Sequence, residues 1–227
     1  MVSPKVSIII LSYNSKKETC ECIDQLKKLS YPNYEVIVVD NGSIDDTVKT
    51  IKILYPEVNL VDVRHNSGYA GGNNIGIRLA KGEFVLILNP DVFVKENALD
   101  KLVEVFELDP RVAIAGSLVF SDKNYEKTWF YPQNFKKHSE KMTMVDVESA
   151  VGCAILVRKS AIQKVGELDE DYFLYDEERD WGERMKRADY RVVCALKSWV
   201  FHKIDKSDPF NILSAVTTYY RNRNKFL

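Results

Sequence analysis

The chain has 227 residues, 45% hydrophobic and 29% charged, with 32 Lys and Arg against 33 Asp and Glu. That is enough apolar material for one well-buried core in one domain, and so even a charge balance gives no general reason to expect nucleic acid as a partner. Four cysteines (Cys20, Cys22, Cys153, Cys194) are too few and too scattered for a disulfide framework or a zinc site, and read as reduced thiols of a cytosolic protein.

The start, MVSPKVSIIILSY, is basic only at Lys5 and its apolar run is brief, which suits a first strand better than a signal peptide. No run approaches the roughly 18 apolar residues that span a bilayer. The chain is therefore expected to rest on a membrane at most.

Strand-like runs recur at 6–14 (VSIIILSYN), 34–43 (YEVIVVDNGS), 58–66 (VNLVDVRHN) and 83–91 (EFVLILNPD), each ending in polar or turn residues. Helix-length segments lie between them at about 15–29, 44–55 and 70–81, and this alternation predicts a parallel sheet with helices on its faces. The strands are nearly continuous in apolar residues, as strands covered on both faces should be. A helix at 96–108 and a strand at 112–120 (VAIAGSLVF) extend the pattern. Residues 121–147 are polar and aromatic without a period, which predicts a long loop. A strand and short helix follow in ESAVGCAILVRKS, then a loop, an amphipathic helix and a strand in DYFLYDEERDWGERMKRADYRVV, and a basic helical segment at the end.

Ligands of open α/β sheets bind beyond the carboxyl ends of the strands. That places Tyr13, Asn14, Asp40, Asn41, Ser43, Asn66 and Asp91 along one edge. Asp40 with Ser43 would also serve as a turn and helix cap. Asp91, after the apolar run LIL and the turn Asn89-Pro90, either caps the next helix or holds something positively charged. The glycines of NSGYAGGNNIG (66–76) do not match G-x-G-x-x-G and follow the third strand, so a nicotinamide cofactor is not expected. They would let backbone approach a phosphate or sugar closely, with Asn73 and Asn74 as polar partners. A divalent cation neutralising a diphosphate leaving group needs one or two carboxylates plus phosphate oxygens. His202, ending an apolar strand, is a second ligand or a satisfied structural histidine; His65 and His138 are the others in the chain. In DEERDWGER (176–184) acidic residues suit a first helical turn, but four carboxylates between 176 and 180 repel one another, which a site needing a base for a hydroxyl proton would explain.

Seven segments in order, SYN (12–14), VIVVDNGSIDDT (37–47), NSGYAGGNNIG, ILNPD (87–91), VGCAILVRK (151–159), FLYDEERDWGERMKRADYRV (173–192) and VFHKIDKS (200–207), resemble the inverting GT-A glycosyltransferases of family two, especially rhamnosyltransferase-like members that build surface polysaccharides. The resemblance implies a GT-A fold: a Rossmann-like, mostly parallel α/β sheet with helices on both faces and a smaller acceptor-side region. It implies one catalytic domain over 1–227, with nucleotide-sugar binding in 1–120 and acceptor binding and the base in 121–227. Asp40 would read the nucleotide base, with Ser12, Tyr13, Asn14 and Ser43 lining its pocket. Gly71, Asn74 and Asn89 would contact the donor. Asp91, the last carboxylate of a D-x-D whose first position is Asn89, and His202 would hold Mg2+ or Mn2+, with more of the metal's coordination coming from phosphates. Glu178 would be the catalytic base, standing where the family has aspartate, with Asp176, Glu177 and Asp180 as neighbouring alternatives; Trp181 would border the acceptor.

The implied partners are a UDP- or dTDP-linked sugar and a saccharide or lipid-linked acceptor, without nucleic acid, at a cytoplasmic location that extends to the inner face of the membrane. Homodimerisation and a further C-terminal segment stay open. The tail YYRNRNKFL reads as a solvated helix end or as a contact with anionic lipid or a lipid-linked acceptor. Two rivals remain. A sugar nucleotidyltransferase would need a basic Gly-rich loop after the first strand, which SYNSKKETC lacks; a binding module would hold nucleotide sugar or polysaccharide without turnover.

Overall fold

A computed structural model describes residues 3–128, 142–203 and 215–227. Residues 129–141 of the loop expected at 121–147, which include His138, and the stretch between VFHK and the last helix lie outside the described residues. In chain order the elements are β1 (Val6–Ser12), α1 (Lys16–Leu26), β2 (Tyr34–Asp40), α2 (Thr47–Leu54), β3 (Asn59–Asp62), α3 (Gly68–Leu79), β4 (Phe84–Leu88), β5 (Val92–Val94) and α4 (Ala98–Leu108). Then follow β6 (Val112–Phe120), β7 (Met144–Asp146), β8 (Ala154–Arg158), α5 (Lys159–Val165), α6 (Glu177–Arg187), β9 (Arg191–His202) and α7 (Ala215–Arg223), with a short 3-10 turn at Asn224–Phe226.

The strands join in one sheet of order β3-β2-β1-β4-β8-β6-β9-β5, with β7 pairing β9 off the path. β1 is flanked in parallel by β2 and β4, so the strand order reverses there and the carboxyl ends of all three open on one edge. Because successive strand residues point to opposite faces, β1 feeds two cores. Ile8 and Ile10 join Leu86, Leu88 and the buried sides of α1 and α4. Ile9 joins Ile87, Ile77 of α3, Ile162 of α5 and Trp181 of α6. Helices thus cover both faces, as the apolar strands required.

Three expectations change. β8 lies antiparallel to both β4 and β6, and β5 and β7 lie antiparallel to β9, so six strands run one way and three the other. β3 stops at Asp62, well short of residue 66, because Arg64 takes a positive φ of 62° that extended strand cannot continue. Within the aperiodic 121–147 stretch, Met144–Asp146 forms β7, recruited by β9 through Met144↔Ala195 and its neighbours. A three-residue strand is too short to show a period.

Candidate active site

The register Ser12↔Asp40 puts the ends of β1 and β2 side by side. Ser12 is fully buried, and its hydroxyl shares hydrogen bonds with Thr19 (2.8 Å) and Ser15 (3.1 Å), which ties the strand to the start of α1. Asn14 has a positive φ of 50°, and its N–H donates to Ser43 Oγ (2.9 Å) while its Oδ1 accepts from the N–H of Ile44 (2.9 Å). The loops after β1 and β2 are therefore laced together, with Tyr13 half-exposed on them. Asp40 is fully buried: Oδ1 accepts from the Ser43 N–H (2.9 Å), closing the expected turn, whereas Oδ2 accepts no hydrogen bond from the described residues. A buried carboxylate oxygen without a donor is costly in a finished core and is suited to a ligand N–H.

Asn41 joins this corner to α3. Its Oδ1 accepts from the N–H (3.0 Å) and hydroxyl (2.7 Å) of Ser67, and its Nδ2 donates to Asn66 Oδ1 and the Gly68 carbonyl, both 3.0 Å. The glycines of α3 serve packing more than ligand approach. A Cβ on Gly72 would stand 2.3 Å from Leu11 Cδ1, and one on Gly76 2.6 Å from Ile9 Cγ2, so these glycines let the helix lie directly on β1. Gly71 is buried beside Ser67 and Glu170. Asn74 is engaged at both ends of its amide: Nδ2 donates to the Leu168 carbonyl (2.8 Å) and Glu170 Oε1 (3.0 Å), and Oδ1 accepts from the Leu168 N–H (3.1 Å). It pins the loop after α5. Asn73 donates to the Tyr69 carbonyl (2.9 Å), and its buried Oδ1 accepts no bond from the described residues.

Asp91 caps no helix, since α4 begins only at Ala98. Instead Asn89 and Pro90 make a tight turn, with the Val92 N–H donating to the Asn89 carbonyl (3.2 Å), and β5 then pairs antiparallel with the last residues of β9, Val92 opposite His202. That register brings His202 Nε2 to 3.2 Å from Asp91 Oδ2, and the Lys203 N–H donates to the Asp91 carbonyl (3.0 Å). Among the described residues no group of three or more His, Cys, Asp or Glu side chains could hold a metal ion unaided. One carboxylate and one imidazole suit a Mg2+ or Mn2+ ion that takes its remaining oxygens from phosphate and water.

The acidic cluster separates into distinct environments. Asp180 is paired with Arg184 at 2.7 Å. Asp176 is the N-cap of α6 and makes no side-chain capping bond. Glu177 and Glu178 act on one another; burial first, then the charge of Glu178, pushes Glu177 up to about 9, and burial also raises Glu178 above the ordinary carboxylate range. The pair holds a proton at neutral pH that isolated glutamates would lose. Glu177 is buried, whereas Glu178 is partly buried, with its Oε2 shut off from solvent. Trp181 does not border a crevice: it is fully buried in the core and donates from Nε1 to the Gly166 carbonyl (2.9 Å). Its indole needed a partner when buried, and the turn after α5 supplies one.

Three residues given no role by sequence reasoning join the acidic pair to Asp91. Tyr69 donates its hydroxyl to the Gly152 carbonyl (2.7 Å). A Cβ on Gly152 would stand 3.4 Å from Glu178 Cδ and 3.6 Å from the Tyr69 hydroxyl. The Asn89 N–H donates to the Cys153 carbonyl (3.0 Å). Burial raises the Tyr69 phenol and the Cys153 thiol, and the charges of Glu178 and Asp91 act on both in the same direction. Nothing in the spacing of Tyr69 and Cys153 distinguishes them from core residues; only antiparallel β8, delivered next to β4, brings them together.

A family model for glycosyl transferase family 2 matches residues 7–166, more than half of the chain. The chain belongs to glycosyl transferase family 2. It is similar to the glycosyltransferase GlyG of Streptococcus pneumoniae, with 31% identity over 57% of this chain and 44% of that one. It is also similar to the low-salt glycan biosynthesis hexosyltransferase Agl10 of Haloferax volcanii, with 26% identity over 98% and 74%. Among solved structures, a mannosyltransferase from Pyrobaculum calidifontis, in complex with GDP-Man and Mn2+, superposes with a TM-score of 0.75 at 21% identity, covering 91% of this chain and 59% of that one. The chain thus spans about half the length of two of these relatives. The fold is a mixed, mostly parallel α/β sheet that matches GT-A glycosyltransferase structures. Among the described residues no helix is long and apolar enough to cross a membrane.

Proposed function

We propose that this glycosyltransferase moves a sugar, with inversion, from a UDP- or dTDP-linked donor to a hydroxyl of a saccharide or lipid-linked acceptor, in the synthesis of a surface glycan, as rhamnosyltransferase-like members of the family do. Residues 1–120 bind the nucleotide sugar; residues 121–227 bind the acceptor and supply the base. The work is done on the cytoplasmic side, at the inner face of the membrane when the acceptor is lipid-linked. The observation that carries the proposal is the convergence of the Asp91–His202 pair and the Glu177–Glu178 pair on Tyr69, Gly152 and Cys153.

Asp40 Oδ2 accepts an N–H of the nucleobase, while Ser12, Tyr13, Asn14 and Ser43 shape that corner. Asp91 and His202, with Asn89 beside them, hold Mg2+ or Mn2+ against the diphosphate; such an ion stabilises the charge that develops on the leaving group. Glu178 takes the proton of the acceptor hydroxyl as its oxygen attacks the anomeric carbon. The C–O bond to diphosphate breaks with the electron pair leaving on oxygen, and the nucleoside diphosphate departs. Glu177, held protonated by burial, donates a hydrogen bond to Glu178 and keeps it the ionised member of the pair.

The test is a panel of UDP-, dTDP- and GDP-sugars with Mg2+ and Mn2+, scored first by thermal shift and then by nucleoside diphosphate release. A positioned base contributes about 10²- to 10⁴-fold, so Glu178→Gln is expected to lose turnover on that scale with donor binding retained. Full activity in that variant removes Glu178 as base. Release of pyrophosphate indicates a nucleotidyltransferase, and binding without any turnover a non-catalytic module.

A further inference from the structure

The turn that delivers the acidic pair is held in an unfavourable backbone. Tyr175 and Asp176 both take a left-handed conformation, φ 68° and 69°, and Glu177 begins α6 directly after them. Asp tolerates that region; a tyrosine seldom enters it. Its carbonyls point away from any regular ladder and require donors.

Those donors come from the far end of the chain. Asn224, buried, donates from Nδ2 to the Leu174 carbonyl (2.9 Å) and the Tyr175 carbonyl (2.6 Å). The Tyr175 and Thr217 hydroxyls are hydrogen-bonded at 3.1 Å, and the Phe173 ring stacks on Tyr220 with centroids 5.2 Å apart. Arg223 donates to the Asp171 carbonyl, and the Arg221 guanidinium lies 5.0 Å over the Tyr175 ring. From the other side, the Tyr69 N–H donates to the Phe173 carbonyl (2.7 Å). Gly68, at φ 77°, leaves room that a Cβ would fill 2.5 Å from that same oxygen. The tail is therefore docked on this turn through Asn224, Tyr220 and Arg223, while Tyr219, Arg221, Asn222 and the last three residues stay exposed.

We propose that Asn224 and Arg221 are positioning residues for the transfer reaction: Asn224 fixes the Leu174–Tyr175 turn that aims Glu178 at the acceptor, and Arg221 braces that turn through the Tyr175 ring. This rests on Glu178 being the base. Among the described residues, the charged and titratable groups that act on Glu178 or feel its charge include Glu177 and Asp176 on its own segment, Arg221 on α7, Tyr69 on α3 and Cys153 before β8. Of these Arg221 is the cation, and it favours the ionised base.

The experiment measures nucleoside diphosphate release from the sugar-nucleotide panel by full-length variants across pH 5 to 9, with melting temperatures and UDP–Mn2+ titrations alongside. Misplacing a reacting group by about 1 Å costs on the order of 100-fold, so Asn224→Ala is expected to lower kcat by ~10- to 100-fold with donor KM within about threefold. Asn224→Gln, which keeps the amide donor, is expected to recover part of the loss. Arg221 is exposed, and Arg221→Gln is expected to fold normally. Without the cation the base needs a higher pH to ionise, so the acid limb of kcat moves up while the alkaline plateau stays; Arg221→Lys restores the limb. Unchanged kcat in Asn224→Ala overturns the proposal. If that variant fails to fold, an unmoved acid limb in Arg221→Gln overturns it. Glu178→Gln separates the two levels: activity there sinks the base itself, whereas an inactive Glu178→Gln beside wild-type Asn224 and Arg221 variants sinks only the positioning role.

Discussion

Replacing Glu177 with glutamine should make the protein more stable at neutral pH, against the usual effect of altering a buried residue. Glu177 is almost fully buried, and its carboxyl is pushed from 4.5 to about 9 by burial and by the neighbouring charge of Glu178. In the unfolded chain the same group ionises near its ordinary value. The folded protein therefore binds the extra proton across the window from 4.5 to 9, and stability falls as pH rises through it. Each pH unit is worth about 1.4 kcal/mol, so the span from 4.5 to neutrality amounts to at most about 3.5 kcal/mol for a single group of this kind. Glutamine copies the protonated form, keeps a donor toward Glu178 and has no proton to lose. Glu177→Gln is thus expected to gain up to ~3.5 kcal/mol at pH 7, or roughly 7 to 14 °C in melting temperature for a chain of this size. The gain should widen toward pH 8.5 and vanish near pH 4.5. Urea denaturation at pH 5, 7 and 8.5 measures it directly. A variant no more stable than the parent at pH 8.5, or a difference that does not change with pH, refutes the protonated-pair account.

Asp91→Ala should weaken Mn2+-dependent UDP binding by at least the ~10- to 100-fold that an outer-shell change costs a metal site, while leaving metal-free binding nearly unchanged; calorimetry with and without the ion decides. Asp40→Asn keeps an acceptor for the Ser43 N–H but replaces the open carboxylate. A hydrogen bond to a charged group is worth about 1.5 to 3 kcal/mol, so nucleotide affinity is expected to drop ~10- to 100-fold at a nearly constant melting temperature. Gly76→Ala sets two effects against each other. Alanine gains about 1 kcal/mol of helix propensity, but its Cβ would stand 2.6 Å from Ile9 Cγ2 in the core, and overpacking costs about 1 to 3 kcal/mol. A net loss of melting temperature is expected, and a rise would show that α3 can move off β1.

Legibility in the sequence tracks the range of the interactions. β1, β2, β4 and β6 and the helices between them were readable, because apolar runs and turn residues report local backbone and burial, whereas the three-residue β5 was not. Asp40 was readable as a turn residue at a strand end. Asp91 could not be separated from a helix cap, since its decisive neighbour is His202, reached only when β5 pairs with the end of β9. The functional reading of the α3 glycines was displaced by Leu11 and Ile9, which lie on another element. Trp181, expected at the acceptor, is turned into the core by the phase of α6.

The amino-acid order by itself determined the alternating strand and helix pattern, the polar edge at the strand ends and the family likeness, because each depends on short-range periodicity and contiguous motifs. The tertiary structure alone decided which carboxylate is buried with which, that the charges of both Glu178 and Asp91 reach Tyr69 and Cys153, and that Asn224 braces the turn before Glu177. Those are contacts between segments far apart in the chain, set by strand register and helix docking, and a charge or hydrogen bond acts only over the few ångströms that such packing creates.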